Sequence, residues 1–281
     1  MKNPQIATIG LFFSVFFVCL PGNPLVATAD GPPVLEQAHL QLVSAVEGTK
    51  GQEAVRIGVQ IRLAPGWKTY WRSPGEAGIP PTFDWSGSRN LDAAHIHWPV
   101  PEYFESYGIG SWGYEDEVVF PIDVVLEEKG APLDLKLRLQ LGLCEKICIP
   151  YEQELELSLA AGAAVRSREA DLIETFARRV PAEAGAVGAI ATDVAVQATE
   201  EGKFTLIVLS TQPLAAPQVI VEGKAGSYFE EISRKFMSAG QEARFFMRAD
   251  LPSKADRLAD QHLMVTIIDG ERATQKRVAV E

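Results

Sequence analysis

Cys144 and Cys148 are the residues whose type and spacing could do chemistry. They stand in the segment Leu143-Cys144-Glu145-Lys146-Ile147-Cys148-Ile149-Pro150. Two nearby thiols can cycle between dithiol and disulfide, or hold a soft metal ion. Along an extended strand, residues four apart are separated by about 13 Å, whereas bridged cysteines need Cα atoms roughly 4.4–6.8 Å apart. A bridge therefore requires a turn over Glu145–Ile147. Closing a ring of about five residues stabilises a fold by about 2 kcal/mol, against nearly 5 kcal/mol for about 100 residues. A chain long enough for a sizeable core has little need of so short a staple. The pair thus reads as redox-active. It lacks the C-x-x-C spacing and the helix N-terminus that commonly depress a thiol pKa. Lys146 would favour a thiolate and Glu145 would oppose it, which suits a relay to one dedicated partner better than a broad oxidant.

The 281 residues contain a third cysteine, Cys19. It lies in an apolar run from Ile9 to Leu20 that follows Met1-Lys2 and precedes Pro21-Gly22 and Ala27-Thr28-Ala29. A short positive start, a dozen or so apolar residues and an A-x-A site are the pattern of a cleaved export signal. The run is short of the roughly 20 residues that span a bilayer. The expectation is cleavage after Ala29, loss of Cys19, and a soluble product in an oxidising compartment, best a bacterial periplasm.

The elements that must position the pair read as strands. Val55, Ile57, Val59, Ile61 and Leu63 alternate with small or polar residues, and every odd position from Leu133 to Leu143 is Leu. A third alternating run, Tyr151, Gln153, Leu155, Leu157 and Leu159, follows the cysteines, so two strands flank them. Further strands are expected near Leu40–Val46, Thr82–Trp85, Ile96–Trp98 and Val118–Val125, which together point to an antiparallel sandwich. Leu172, Ile173, Phe176 and Val180 then fall on one helical face that Pro181 stops. An Ala/Gly-rich run, Ala182–Ala191, reads as a linker. Beyond it, strands near Phe204–Leu209, Gln218–Val221, Arg244–Met247, Leu263–Ile268 and Arg277–Val280 suggest a second, smaller β domain. The expected organisation is signal 1–29, sandwich 30–160, helix and linker 161–190, and second β domain 191–281.

Charge narrows the function class. The chain carries 26 basic and 37 acidic residues, a net −11, which gives no electrostatic footprint for nucleic acid or an anionic membrane. Asp30–Ala160 holds 20 acidic against 10 basic residues, either a solvated face or a docking surface that selects a partner by charge. No P-loop, H-E-x-x-H or Ser-His-Asp order is present, so nothing calls for a cofactor. His95 and His97 would share a strand face, and with Cys144 and Cys148 could complete a copper or zinc site. Incidental surface histidines are the competing reading. Trp67, Trp71, Trp85, Trp98 and Trp112 read as sandwich core and cap.

Several motifs together resemble a known family. Pro65-Gly66-Trp67-Lys68-Thr69-Tyr70-Trp71, Pro80-Pro81-Thr82-Phe83, Gly113-Tyr114-Glu115-Asp116-Glu117-Val118-Val119-Phe120-Pro121 and Cys144-Glu145-Lys146-Ile147-Cys148-Ile149-Pro150 are similar to the N-terminal periplasmic domain of the DsbD thiol:disulfide interchange family, in particular its ScsB group. The resemblance covers about Val34 to Leu159. It implies an immunoglobulin-like sandwich whose cysteine pair, here Cys144 and Cys148, takes electrons from a membrane carrier through a thioredoxin-like domain. The pair then passes them to periplasmic disulfide proteins. It also implies a cap loop over the cysteines; Tyr103–Tyr114 lies where that loop is expected, with Tyr107 and Trp112 as candidate lids. By the same analogy Cys148 forms the mixed disulfide and Cys144 resolves it. Two departures are visible. The family spaces its cysteines more widely, and its membrane and thioredoxin-like parts would be separate proteins here. The rival readings are a copper-binding module using the same thiols and an adaptor with a structural bridge.

Overall fold

The computed structural model describes residues 37–75, 78–106, 108–200, 202–253 and 256–281. The expected signal segment and Cys19 lie outside the described residues. Leu133–Cys144 shows most directly how the pattern becomes structure. Its six odd-numbered leucines are all buried, while Lys136, Arg138 and Gln140 face solvent. Each such leucine contributes about 1.5–3 kcal/mol relative to exposure. This strand pairs antiparallel with Cys148–Ala163 in unbroken register, from Leu133 opposite Leu159 to Cys144 opposite Cys148.

The same sheet continues from Leu133–Cys144 through Lys68–Gly75 and Ile109–Glu115 to Glu102–Ser106. The opposing four-stranded sheet runs in the order Ala38–Ser44, Ala54–Leu63, Glu117–Val125, Ala93–Ile96. Ile57, Val59, Ile61, Phe120, Ile122 and Trp71 meet the leucines between the sheets. Phe83, Trp98, Tyr114 and Phe120 add edge-on aromatic contacts with centroids 4.9–5.9 Å apart, a geometry that ring quadrupoles favour. The result is the immunoglobulin-like sandwich. Trp71 is fully buried, and the other four tryptophans pack partly buried around the core.

The helix spans Ala170–Ala177 and turns Ile173 and Phe176 into this first core. A second sandwich follows. One of its sheets joins Ala182–Glu183, Arg272–Ala279, His262–Asp269 and Gln218–Glu222; the other joins Asp193–Glu200, Lys203–Leu209, Glu242–Asp250 and Tyr228–Met237. Leu206, Val208, Phe245, Leu263 and Val265 fill its core.

Three expectations change. Ala182–Ala191 is tied into the second sandwich: Glu183 pairs with Gln275, Ile190 and Ala191 are buried, and the Ile190 amide donates to Thr274 Oγ1 at 2.8 Å. Tyr228–Met237 went unread because Glu-Glu-Ile-Ser-Arg-Lys carries no alternation. It is an edge strand whose register shifts between Glu231 and Ser233, so neither face needs to be uniformly apolar. Tyr103–Tyr114, expected as a loop, is largely a hairpin of Glu102–Ser106 and Ile109–Glu115. The described residues form one compact unit, in which Ile220, Ile268 and Ala273 of the second sandwich join the first core.

Candidate functional site

The cysteines end two paired strands. Cys144 is the last residue of one and Cys148 the first of the next; only Glu145–Ile147 turns between them. Their Cα atoms are 4.1 Å apart and the sulfurs are bonded. Register places them together: the period-2 pattern fixes the face each residue takes, and the short turn over Glu145–Ile147 fixes the pairing. The Glu145 amide donates to the Ile147 carbonyl at 3.5 Å, closing the turn.

Their environments differ. Cys144 is only 6% exposed, whereas Cys148 is exposed and neighbours Ile147, which is 76% exposed. One cysteine is exposed and the other is held inside.

A side chain without an assigned role in the sequence reading completes the site. Tyr70, on Lys68–Gly75, places its hydroxyl 2.7 Å from Cys144 Sγ and 3.1 Å from Cys148 Sγ. Bonded sulfurs carry no proton, so the phenol donates. Burial raises the Tyr70 pKa above its ordinary value, which keeps the hydroxyl a donor. The ring sits in a slot left by two glycines. A Cβ at Gly142 would stand 3.0 Å from Tyr70 Cδ2 and Cε2, and one at Gly78 would stand 2.8 Å from Cδ1. Thr69 Oγ1 donates to the Gly142 carbonyl at 3.0 Å, and Lys68 pairs opposite Cys144. In Lys68-Thr69-Tyr70-Trp71 the sequence shows only two aromatic residues after two polar ones. Without the register to Cys144, nothing connects it to sulfur.

Lys68 lies 3.1 Å from Glu115 and 4.2 Å from the centroid of Phe104. A groove of about 320 Å³ lies farther along the two cysteine-bearing strands, lined by Ile79, Pro80, Leu141, Pro150 and Tyr151 with polar Gln140 and Glu152.

Of the two candidate lids, Tyr107 lies outside the described residues. Trp112 packs edge-on against Tyr103 with centroids 5.1 Å apart, and both line a larger cleft toward the second sandwich. His95 and His97 belong to the four-stranded sheet or its end, away from the cysteine-bearing sheet. His97 Nε2 lies 2.7 Å from Asp123, which also accepts from Arg56 at 2.8 Å. The structure does not bring these histidines and the cysteines together: among the described residues no group of three or more His, Cys, Asp or Glu could hold a metal. Nor does any described helix have the length and apolarity to cross a membrane.

Residues 36–160 match the family described as thiol:disulfide interchange protein DsbD, N-terminal. Residues 179–281 match a domain of unknown function, DUF8393. No curated protein matches the chain by sequence. Among solved structures, the N-terminal periplasmic domain of ScsB from Proteus mirabilis superposes with a TM-score of 0.70 at 24% identity, covering 88% of this chain and 96% of that one. The reduced N-terminal domain of Neisseria meningitidis DsbD aligns with a TM-score of 0.26 at 15% identity, over 46% of this chain and 90% of its own length.

Proposed function

Residues 36–160 being a domain of the DsbD N-terminal kind, we propose that the chain is a periplasmic thiol–disulfide exchange protein working through Cys144 and Cys148. It relays electrons from a thioredoxin-like partner of a membrane carrier to periplasmic disulfide proteins. The observation that carries this reading is the asymmetry of the pair: Cys148 exposed, Cys144 buried, and one tyrosine hydroxyl within reach of both sulfurs. The organisation into signal 1–29, redox sandwich 30–160, helix and linker 161–190 and second β domain 191–281 belongs to the same proposal, with the linker's end from Ala182 packed into the second domain.

Geometry orders the steps. A thiolate of the reductant attacks Cys148 Sγ, on the exposed cysteine. The Cys144–Cys148 bond breaks, and Cys144 leaves with the electron pair as a thiolate. A charged acceptor roughly doubles the strength of a hydrogen bond, so Tyr70 holds the leaving thiolate more tightly than it held the disulfide. The reductant's second thiolate then attacks its own sulfur in the mixed disulfide and releases Cys148. The pair has gained two electrons and the reductant is left as a disulfide. In the second half-reaction the Cys148 thiolate attacks a substrate disulfide, and Cys144 resolves the adduct. Tyr107 and Trp112 are proposed to shield the approach.

Trapping tests the reading. A Cys144→Ser variant is expected to accumulate a mixed disulfide with the disulfide form of a thioredoxin-like protein, Cys148 attacking one partner sulfur while the other leaves as a thiolate. A Cys148→Ser variant is expected to accumulate none. Equal trapping by both variants, or by neither, would overturn the assignment.

A further inference from the structure

The strand that carries Tyr70 is regularly paired only up to Tyr70. Lys68, Thr69 and Tyr70 lie opposite Glu115, Tyr114 and Gly113; the register then slips, and pairing resumes only at Gly75 opposite Ser111. On its other side this strand meets Leu133–Cys144 at the single register pair of Lys68 and Cys144. Among the described residues, 71–74 therefore have no ladder partner, and side chains must help hold the backbone just past Tyr70.

Two side chains hold it. Trp71 is fully buried in the first core. Arg72 points outward, with its guanidinium 4.2 Å from the Trp71 ring centroid, a cation–π distance. Its Nε donates to both carboxylate oxygens of Glu222, at 2.9 and 2.8 Å. The two side chains are only 24% and 15% exposed, so the pair is little screened by water. Glu222 belongs to the second sandwich. It ends Gln218–Glu222, which is fixed at Ile220 in the apolar junction with the first core and paired at Glu222 with Met264.

We propose that Glu222 is a positioning residue for the redox pair: through Arg72 it fixes the unpaired stretch that follows Tyr70, and so holds the Tyr70 hydroxyl on the two sulfurs. The second sandwich is then a working part of the redox site. The inference rests on the exchange reading only in treating the reduced pair as the functional form.

The experiment follows reactivity of the reduced full-length protein, which needs no partner. Alkylation of the two thiols is measured across pH for the wild type, Glu222→Gln, Tyr70→Phe and the double variant, with a thermal melt of each. Glu222→Gln keeps the shape and removes the charge. It is expected to move the pH profile upward in the same direction as Tyr70→Phe and to slow alkylation at neutral pH severalfold. In the Tyr70→Phe background it should add nothing, because residues acting through one contact are non-additive. An unchanged profile, or an effect that adds in full to that of Tyr70→Phe, would overturn the proposal. If Glu222→Gln fails to fold, Arg72→Lys decides. It keeps the charge but loses the stacked guanidinium, and the same shift and non-additivity are required of it. A positive result here together with failed partner trapping would disprove the exchange reading while leaving the positioning role standing.

Discussion

Replacing Tyr70 by Phe removes one oxygen and leaves the ring in its glycine-walled slot, so the perturbation is close to a pure loss of a hydrogen bond. In the oxidised protein that bond runs to neutral sulfurs, 2.7 and 3.1 Å away, and such a bond is worth about 0.5–1.5 kcal/mol. In the reduced protein the acceptor becomes a buried Cys144 thiolate, for which bonds of about 1.5–3 kcal/mol are usual. The difference, on the order of 1–2 kcal/mol, stabilises the reduced thiolate form selectively. At 1.36 kcal/mol per pKa unit, Tyr70→Phe should raise the Cys144 pKa by about 1 unit. At 30 mV per roughly 1.4 kcal/mol, it should make the reduction potential about 20–45 mV more negative where the thiolate dominates. Where both thiols are protonated, the hydroxyl faces a neutral acceptor in either state and the shift should shrink. The assay is a glutathione redox series at one mildly acidic and one alkaline pH, with thiolate absorbance followed across the range. A potential shift of equal size at both pH values, or a pKa that falls, would refute the role given to Tyr70.

Other consequences are as direct. Gly142→Ala would put a Cβ 2.8 Å from Ile79 Cβ and 3.0 Å from the Tyr70 ring, and is expected to reproduce the Tyr70→Phe pH profile, read by the same alkylation assay, at some cost in melting temperature. Leu137→Ala, at a position 1% exposed between the sheets, should cost about 2–5 kcal/mol in denaturant unfolding. Asp123 resists protonation: partial burial raises its pKa, but hydrogen bonds from Arg56 and His97 outweigh that and hold it below 3.8. A carboxylate depressed in this way contributes stability above its unfolded pKa of about 3.9, and the contribution is lost as pH falls through the lower folded value. Asp123→Asn should therefore be less stable than wild type at neutral pH by about 1 kcal/mol or less, given its partial exposure. The gap should close toward pH 3 in urea titrations.

How much was legible in the sequence depended on whether a residue's environment is set locally. The leucines of 133–143 announce a strand because one side must be buried and the other wet, while the pairing of Cys144 with Cys148 needs the turn over Glu145–Ile147 as well. The helix is legible for the same reason, through Ile173 and Phe176. Tyr70 was not legible as a sulfur contact, because its partners come from a strand more than seventy residues later whose register is set by other side chains. Glu222 was still less so. An acidic residue at a strand end looks like any solvated carboxylate until the fold brings Arg72 to it. Tyr228–Met237 escaped because an edge strand need not alternate. The acid excess of the first sandwich is partly absorbed on its outer face, where Glu154 and Glu156 meet Arg138 and Lys136 across the Leu133–Cys144 pairing.

The central claim is that Cys144–Cys148 exchanges rather than staples. The most direct measurement is its reduction potential in a glutathione series, with unfolding of the oxidised and reduced forms compared alongside. The account predicts a potential above about −300 mV and a reduced protein that keeps its fold, since the bridge closes only a turn between strands already paired. A potential below about −300 mV with a large loss of stability on reduction would contradict it.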